Sequence, residues 1–325
     1  MARTRAAAAI GRFSDRPGGR TVLTKGRPSP RMPSWKRVAI VVLVGVVLVV
    51  GGVAAYFSVP YHGSQSSIEA VEDDPRVSVT REDGVTTLEP ADGTSSVGLV
   101  FYPGARVAPD AYYSSLAPLV TEANVTVVVP EMPLNVALLD TDAAADIRTE
   151  RTEVRTWFVG GHSLGGVAAC EYASSNEVRG LLLFASYCDA DVSDRSMAVL
   201  SVTGSADGVL DREAYRESRA KLPPTAESHE IRGMNHTQFG SYHGQRGDRP
   251  ASIPYDEAHD RLAEVVVPWV VEHSEASRSS SPLPPPPPSV RVEPACHARE
   301  TTLEPTGKTT VNPPGFTAIR TRIPP

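Results

Sequence analysis

The chain has 325 residues and a formal net charge of −6, but that charge is unevenly spread. Residues 1–37 carry ten Lys/Arg and one acid, Asp15, a net of +9, and residues 276–325 carry six bases and three acids, a net of +3; the whole-chain −6 less these two leaves −18 for residues 38–275, whose only lysine is Lys221. So acidic a middle section repels nucleic acid, which excludes it as a partner, and reads as a soluble, salt-adapted surface.

The basic arm, residues 1–37, belongs to no globular core and reads as disordered. Met32 is a second candidate start within it, and would leave a short basic leader. Residues 38–57, Val38 to Phe57, form an uncharged apolar run of twenty residues. That length spans about 30 Å of hydrocarbon as a helix. Lys36 and Arg37 precede it, while Glu69, Glu72, Asp73 and Asp74 follow. This asymmetry puts the N-terminus in the cytoplasm and the remainder outside. The rival is a cleaved signal peptide, with Val53 and Ala55 as the small residues before a cut near Ala55. The run exceeds a usual signal core, which favours a single-pass membrane anchor; both readings export the domain.

Residues 58–76 read as a polar linker, and 77–275 as the folded domain. A hairpin is predicted from Val77–Thr80 and Val85–Leu88, with Asp83-Gly84 suited to a tight turn. Short Val- and Leu-rich runs follow at Val97–Tyr102, Val125–Val129, Trp157–Val159, Gly180–Ala185 and Met197–Thr203, with Glu227–Ile231 as a further strand. Such runs read as strands buried on both faces. Between them lie helical segments at Asp110–Ala123, Asp142–Val154, Leu164–Ser174, Asp211–Leu222 (opened by Asp211 as N-cap) and Asp256–His273. The alternation predicts an α/β fold, with a mostly parallel central sheet and helices on both faces. Residues 276–325 form a Pro-rich tail whose run Pro284–Pro288 is polyproline II, read as disordered.

Three cysteines make no disulfide framework: Cys170 and Cys188 read as buried thiols, and Cys296 as a free thiol in the tail. No CxxC or Cys/His cluster suggests a metal site.

The chemistry centres on Gly161-His162-Ser163-Leu164-Gly165. It follows a predicted strand and opens an Ala-rich helix, the setting of a nucleophile elbow, so Ser163 is the candidate nucleophile. Its hydroxyl needs a base and a group to orient that base. His236, in a polar loop after Glu227–Ile231, is the best base. Asp207, just past the strand Met197–Thr203, is the best acid, with Asp189 and Asp191 as rivals. The order Ser163, Asp207, His236 fits an α/β-hydrolase triad. His162, inside the elbow, is expected to point away from its serine. The oxyanion needs backbone donors, for which Leu164 and Ala105 are chosen, with Arg106 second to Ala105.

The elbow, the segment Gly204-Ser205-Ala206-Asp207-Gly208 and the pair Asn235-His236 resemble the α/β-hydrolase superfamily. Within it, Phe101-Tyr-Pro-Gly-Ala105, Pro130-Glu-Met-Pro-Leu-Asn135 and Asn235-His-Thr-Gln-Phe-Gly240 are similar to a small family of uncharacterised hydrolases, distantly related to dienelactone hydrolases. The resemblance covers about residues 77–273. It implies the α/β-hydrolase fold, esterase-type chemistry and no cofactor. Dienelactone hydrolases use a cysteine nucleophile, so Ser163 argues against carrying their substrate across.

Only about twenty residues separate Ala185 from Asp207, so no large cap domain fits there. An open pocket is expected, covered at most by Met132–Asp140 and Ser241–Pro254. The expected substrate is a small-molecule or lipid-like ester or thioester. An acyltransferase on the same triad, or a non-catalytic surface binding protein retaining the fold, are the alternatives.

Overall fold

The structure is a computed structural model that describes residues 34–93 and 95–279. The arm up to residue 33, including Met32, and the tail from residue 280, including Pro284–Pro288 and Cys296, lie outside the described residues.

Helix α1 (Ser34–Phe57) starts one turn before the apolar run and ends with it. From Trp35 to Phe57 it is long and apolar enough to cross a membrane. The expected linker is not bare. It carries α2 (Gln65–Glu72), capped by Ser64, whose hydroxyl accepts the Ser67 N–H. Tyr61 also pairs with Val107, and Ser64 N–H donates to the Ser241 carbonyl, so this stretch is bonded to the domain.

Eight strands form one sheet: β1 (Val77–Glu82), β2 (Val85–Pro90), β3 (Val97–Tyr102), β4 (Thr126–Pro130), β5 (Thr156–His162), β6 (Gly180–Phe184), β7 (Ala198–Gly204) and β8 (Glu227–Ile231). Their order is β1-β2-β4-β3-β5-β6-β7-β8. β1 and β2 are a hairpin turning on Asp83 and Gly84, both at positive φ (49° and 76°). This is the two-residue turn that Asp-Gly favours. β2 runs antiparallel to β4, and every later pairing is parallel.

Alternation along each strand splits the core in two. Leu99 and Phe101 join one cluster with Phe158, Leu182 and Leu200; Val100 and Tyr102 join the other with Val159, Leu181 and Leu183. The first face is covered by α3 (Tyr113–Ala123) and α7 (Tyr255–Ser279), through Leu116, Leu119, Leu262 and Trp269. The second is covered by α4 (Ala143–Glu150) and α5 (Leu164–Ser175), through Ile147, Ala168, Ala169 and Tyr172. Helix α6 (Arg212–Ser218) begins at Asp211, whose carboxylate accepts the N–H groups of Glu213 and Ala214 as expected of an N-cap.

The cysteine expectation is corrected. Cys170 on α5 and Cys188 beyond β6 form a disulfide, with Cα atoms 5.4 Å apart. They lie 18 residues apart, on the helix and in the loop after the next strand, and the packing of α5 on β6 brings them together.

Candidate active site

The candidate residues gather beyond the carboxyl ends of neighbouring parallel strands, where open α/β sheets bind ligands. Ser163 follows β5, Asp207 follows β7, and His236 follows β8.

Ser163 joins β5 to α5 with φ 54° and ψ −123°. A non-glycine residue in such a conformation costs about 1–3 kcal/mol and persists only when its surroundings enforce it. Here its N–H donates to the Phe184 carbonyl at 2.9 Å, and its own carbonyl accepts from Ser186 Oγ at 2.6 Å and from Gly166 N–H at 3.0 Å. Gly165 is required by close approach: a Cβ there would overlap the carbonyl oxygens of Tyr102 and Pro103. The turn thereby presses the start of α5 against the loop after β3.

Asp207 and His236 are both buried, with Nδ1 and Oδ2 2.9 Å apart. The other carboxylate oxygen accepts the N–H groups of Val209 (2.8 Å) and Leu210 (2.9 Å). Burial pushes the carboxyl up, but the hydrogen bond from His236 and the N–H groups of Leu210 and Val209 outweigh it. The net effect is below the ordinary 3.8. An ionised carboxylate only accepts, so Nδ1 carries the proton and Nε2 keeps its lone pair. Nε2 is buried and has no hydrogen-bond partner among the described residues.

His162 links the elbow to this pair. Its ring centroid lies 4.4 Å from that of His236. Tyr112 hydroxyl accepts from Gly104 N–H (2.8 Å) and shares a hydrogen bond with His162 Nδ1 (3.0 Å). Burial first, and then the adjacent His236 imidazole, holds His162 well below the ordinary 6.5. His162, the residue before Ser163 in the elbow, thus packs on the ring of His236, while His236 Nε2 makes no hydrogen bond to Ser163 Oγ. Such bonds often tighten only when substrate is present.

The oxyanion candidates are separated by their partners. Gly104 N–H is taken by Tyr112, and Arg106 N–H by the Asn135 carbonyl at 2.8 Å. Among the described residues, the N–H groups of Ala105 and Leu164 have no such acceptor outside regular structure. The engaged Arg106 is therefore the weaker choice. The rival acids lie elsewhere: Asp189 is 73% exposed and pairs with Lys221, and Asp191 bonds Ser193. No group of three or more His, Cys, Asp or Glu among the described residues is arranged to hold a metal ion.

Asp248 is the residue that sequence reasoning missed. Its Oδ1 accepts from His236 N–H (3.2 Å), Gly208 N–H (3.3 Å) and Arg249 N–H (2.9 Å), and its Oδ2 accepts from Thr237 N–H (3.0 Å). It joins the loop of Asp207 to the loop of His236. Nothing in Gly247-Asp248-Arg249 distinguishes it from the other acids of an acidic domain.

A parallel sheet ending in a strained serine elbow, with a buried Asp–His pair beyond the next strands, defines the α/β-hydrolase class. The sequence profile of the alpha/beta hydrolase family matches residues 98–260, and the chain belongs to that family. Among solved structures it is similar to the esterase domain of a Rhodothermus marinus protein (15% identity, 60% of this chain and 97% of that one, TM-score 0.46). It is also similar to an a/b serine hydrolase without lid from Xanthomonas campestris (16%, 60% and 95%, 0.44). A thermophilic esterase from the Planctomycetes species Thermogutta terrifontis is a third (14%, 62% and 93%, 0.44). No curated protein matches the sequence.

Proposed function

We propose that this hydrolase is an exported, membrane-anchored serine hydrolase that cleaves a carboxylic ester or thioester through an acyl-enzyme. Ser163 Oγ attacks the carbonyl carbon while His236 Nε2 takes its proton. The N–H groups of Leu164 and Ala105 receive the oxyanion. His236 then protonates the leaving group, and Asp207 holds the imidazole tautomer and stabilises the imidazolium. Water, activated by the same base, releases the acid and restores Ser163.

The observation that carries this reading is the His236 ring. Nδ1 is locked on a buried carboxylate, while Nε2 is buried with its lone pair free. Export is supported by the bases before α1 and the acids after it. The Cys170–Cys188 disulfide adds to it, because such bonds persist in oxidising compartments.

The test is turnover of p-nitrophenyl esters of increasing chain length by the full-length protein in detergent. Wild type is expected to release p-nitrophenol with a burst equal to the enzyme present. Ser163→Ala is expected to lose turnover by at least about a thousandfold. A folded Ser163→Ala that turns over like wild type would refute the reading.

A further inference from the structure

Large apolar side chains are exposed in only two places among the described residues. One is α1 with its exit, from Trp35 to Val59; the other is a single loop carrying Leu134 (46% exposed), Leu138 (45%) and Leu139 (58%). Single exposed leucines are ordinary on soluble domains, but three within six residues form a patch. This patch stands on a section of the chain that otherwise carries a strong negative charge.

The two apolar surfaces meet. Phe57, the last residue of α1, gives its carbonyl to Asn135 Nδ2 at 2.8 Å. The Asn135 carbonyl accepts the Arg106 N–H. The Arg106 guanidinium donates to the Val59 carbonyl (2.8 and 3.1 Å) and lies over the rings of Tyr56 (3.9 Å) and Tyr61 (5.0 Å). Residues 56–61, Arg106 and Asn135 therefore share one level at the end of the helix. Leu134 and Asn135 both hold left-handed backbone (φ 51° and 54°), and the bonds on either side of Asn135 fix them there.

The same loop borders the site. Arg106 follows Ala105, and the short turn Ala137–Leu139 packs on α5, which begins at Leu164.

We infer that Leu134, Leu138 and Leu139 form a bilayer-contact edge that holds the mouth of the site on the outer leaflet, and that the substrate is an acyl ester drawn from that leaflet. This rests on the proposed serine hydrolase and on α1 as its anchor. A spanning helix that ends at Phe57 sets the lipid–water boundary there. Tyr56 and Tyr61 are the ring type that settles at that depth. Leucines one residue or one turn from Asn135 then meet acyl chains. The acidic domain gives no attraction to anionic headgroups, so the contact is apolar and insensitive to salt.

Two measurements on the full-length protein, in vesicles of ether-linked phosphatidylcholine, test it. In a Cys296→Ser background, a nitroxide is attached to Leu138→Cys or, as a solvent-facing control, to Glu264→Cys. The Leu138 label is expected to be relaxed by oxygen and shielded from a water-soluble nickel chelate, at low and at high salt. Chelate access equal to that at Glu264 would overturn the inference, whether or not the enzyme is active. Separately, the triple variant Leu134→Ser, Leu138→Ser, Leu139→Ser is expected to hydrolyse soluble p-nitrophenyl butyrate within twofold of wild type. It is expected to lose at least tenfold on a long-chain diacylglycerol in the vesicles. Equal rates for variant and wild type on both esters would contradict it. If wild type hydrolyses neither ester, the serine-hydrolase reading fails, and the label alone decides the membrane surface.

Discussion

His236 Nδ1 stands 2.9 Å from Asp207 Oδ2, in a pair closed to solvent, and the remaining carboxylate oxygen is fixed by two backbone N–H groups. The acid cannot rotate, and the imidazole has one tautomer.

Asp207→Asn keeps the shape but reverses that tautomer. The amide Nδ2 donates to His236 Nδ1 and drives the proton to Nε2, where Ser163 needs an acceptor. We expect kcat to fall by about ten-thousandfold with KM within a few-fold. Steady-state kinetics on a p-nitrophenyl ester, beside an unchanged circular dichroism spectrum, checks this.

Asp248 holds the base through the backbone of its loop rather than through its ring. Asp248→Ala leaves four N–H groups without their acceptor. Hydrogen bonds to a charged group are worth about 1.5–3 kcal/mol each, and the loop recovers part of this by relaxing. The expected cost is about 2–4 kcal/mol of stability and a ten- to hundredfold loss in kcat, because a base displaced by about 1 Å costs that much. Asp248→Asn retains the Oδ1 acceptor and is expected to recover most of both. Denaturant midpoints and kcat for the two variants separate these outcomes.

Low pH is expected to destabilise the protein from about pH 6.5 downward. His162 has its folded-state proton affinity lowered by burial, and His259 is lowered in the same way. Below 6.5 the unfolded chain takes protons that the folded state refuses, so stability is present above that value and is lost as pH falls. Each histidine contributes up to about 1.4 kcal/mol per pH unit. Asp207 acts in a lower window: its stabilisation holds above 3.8 and disappears as pH falls through its depressed folded value. Denaturation midpoints between pH 7.5 and 5 are expected to slope, and His162→Gln is expected to flatten that slope. An equal slope in the variant would remove His162 from the account.

The Cys170–Cys188 bond closes a loop with a sequence separation of 18 between α5 and the segment after β6. A loop near this size is worth about 3 kcal/mol. Cys188→Ser, or reduction of wild type, is expected to lower the melting temperature by several degrees. Alkylation of unreduced protein is expected to label Cys296 alone. Labelling of Cys170 and Cys188 as well would show free thiols.

The sheet was legible because β3 to β7 are short Val- and Leu-rich runs separated by helical periodicities, and both signals come from neighbours in sequence. The strained turn at Ser163 was legible because it requires Gly161 and Gly165 nearby. The pairing of His236 with Asp207 was legible from their places after successive strands. Relations across the fold were not legible. The disulfide depends on the packing of α5 beside β6. Asp248 depends on two loops meeting, and α2 carries too few apolar residues to reveal a helix in a polar stretch. The exposure of Leu134, Leu138 and Leu139 is likewise silent in sequence, where leucines read as core.

The most direct test of the central claim is the site of covalent attack. The full-length protein is treated with a fluorophosphonate, digested and mapped by mass spectrometry. The phosphonyl group is expected on the peptide containing Ser163, and is expected to be absent from Asp207→Asn after the same brief exposure. A folded wild-type protein that stays unmodified, or that carries the group on another serine, would contradict the account.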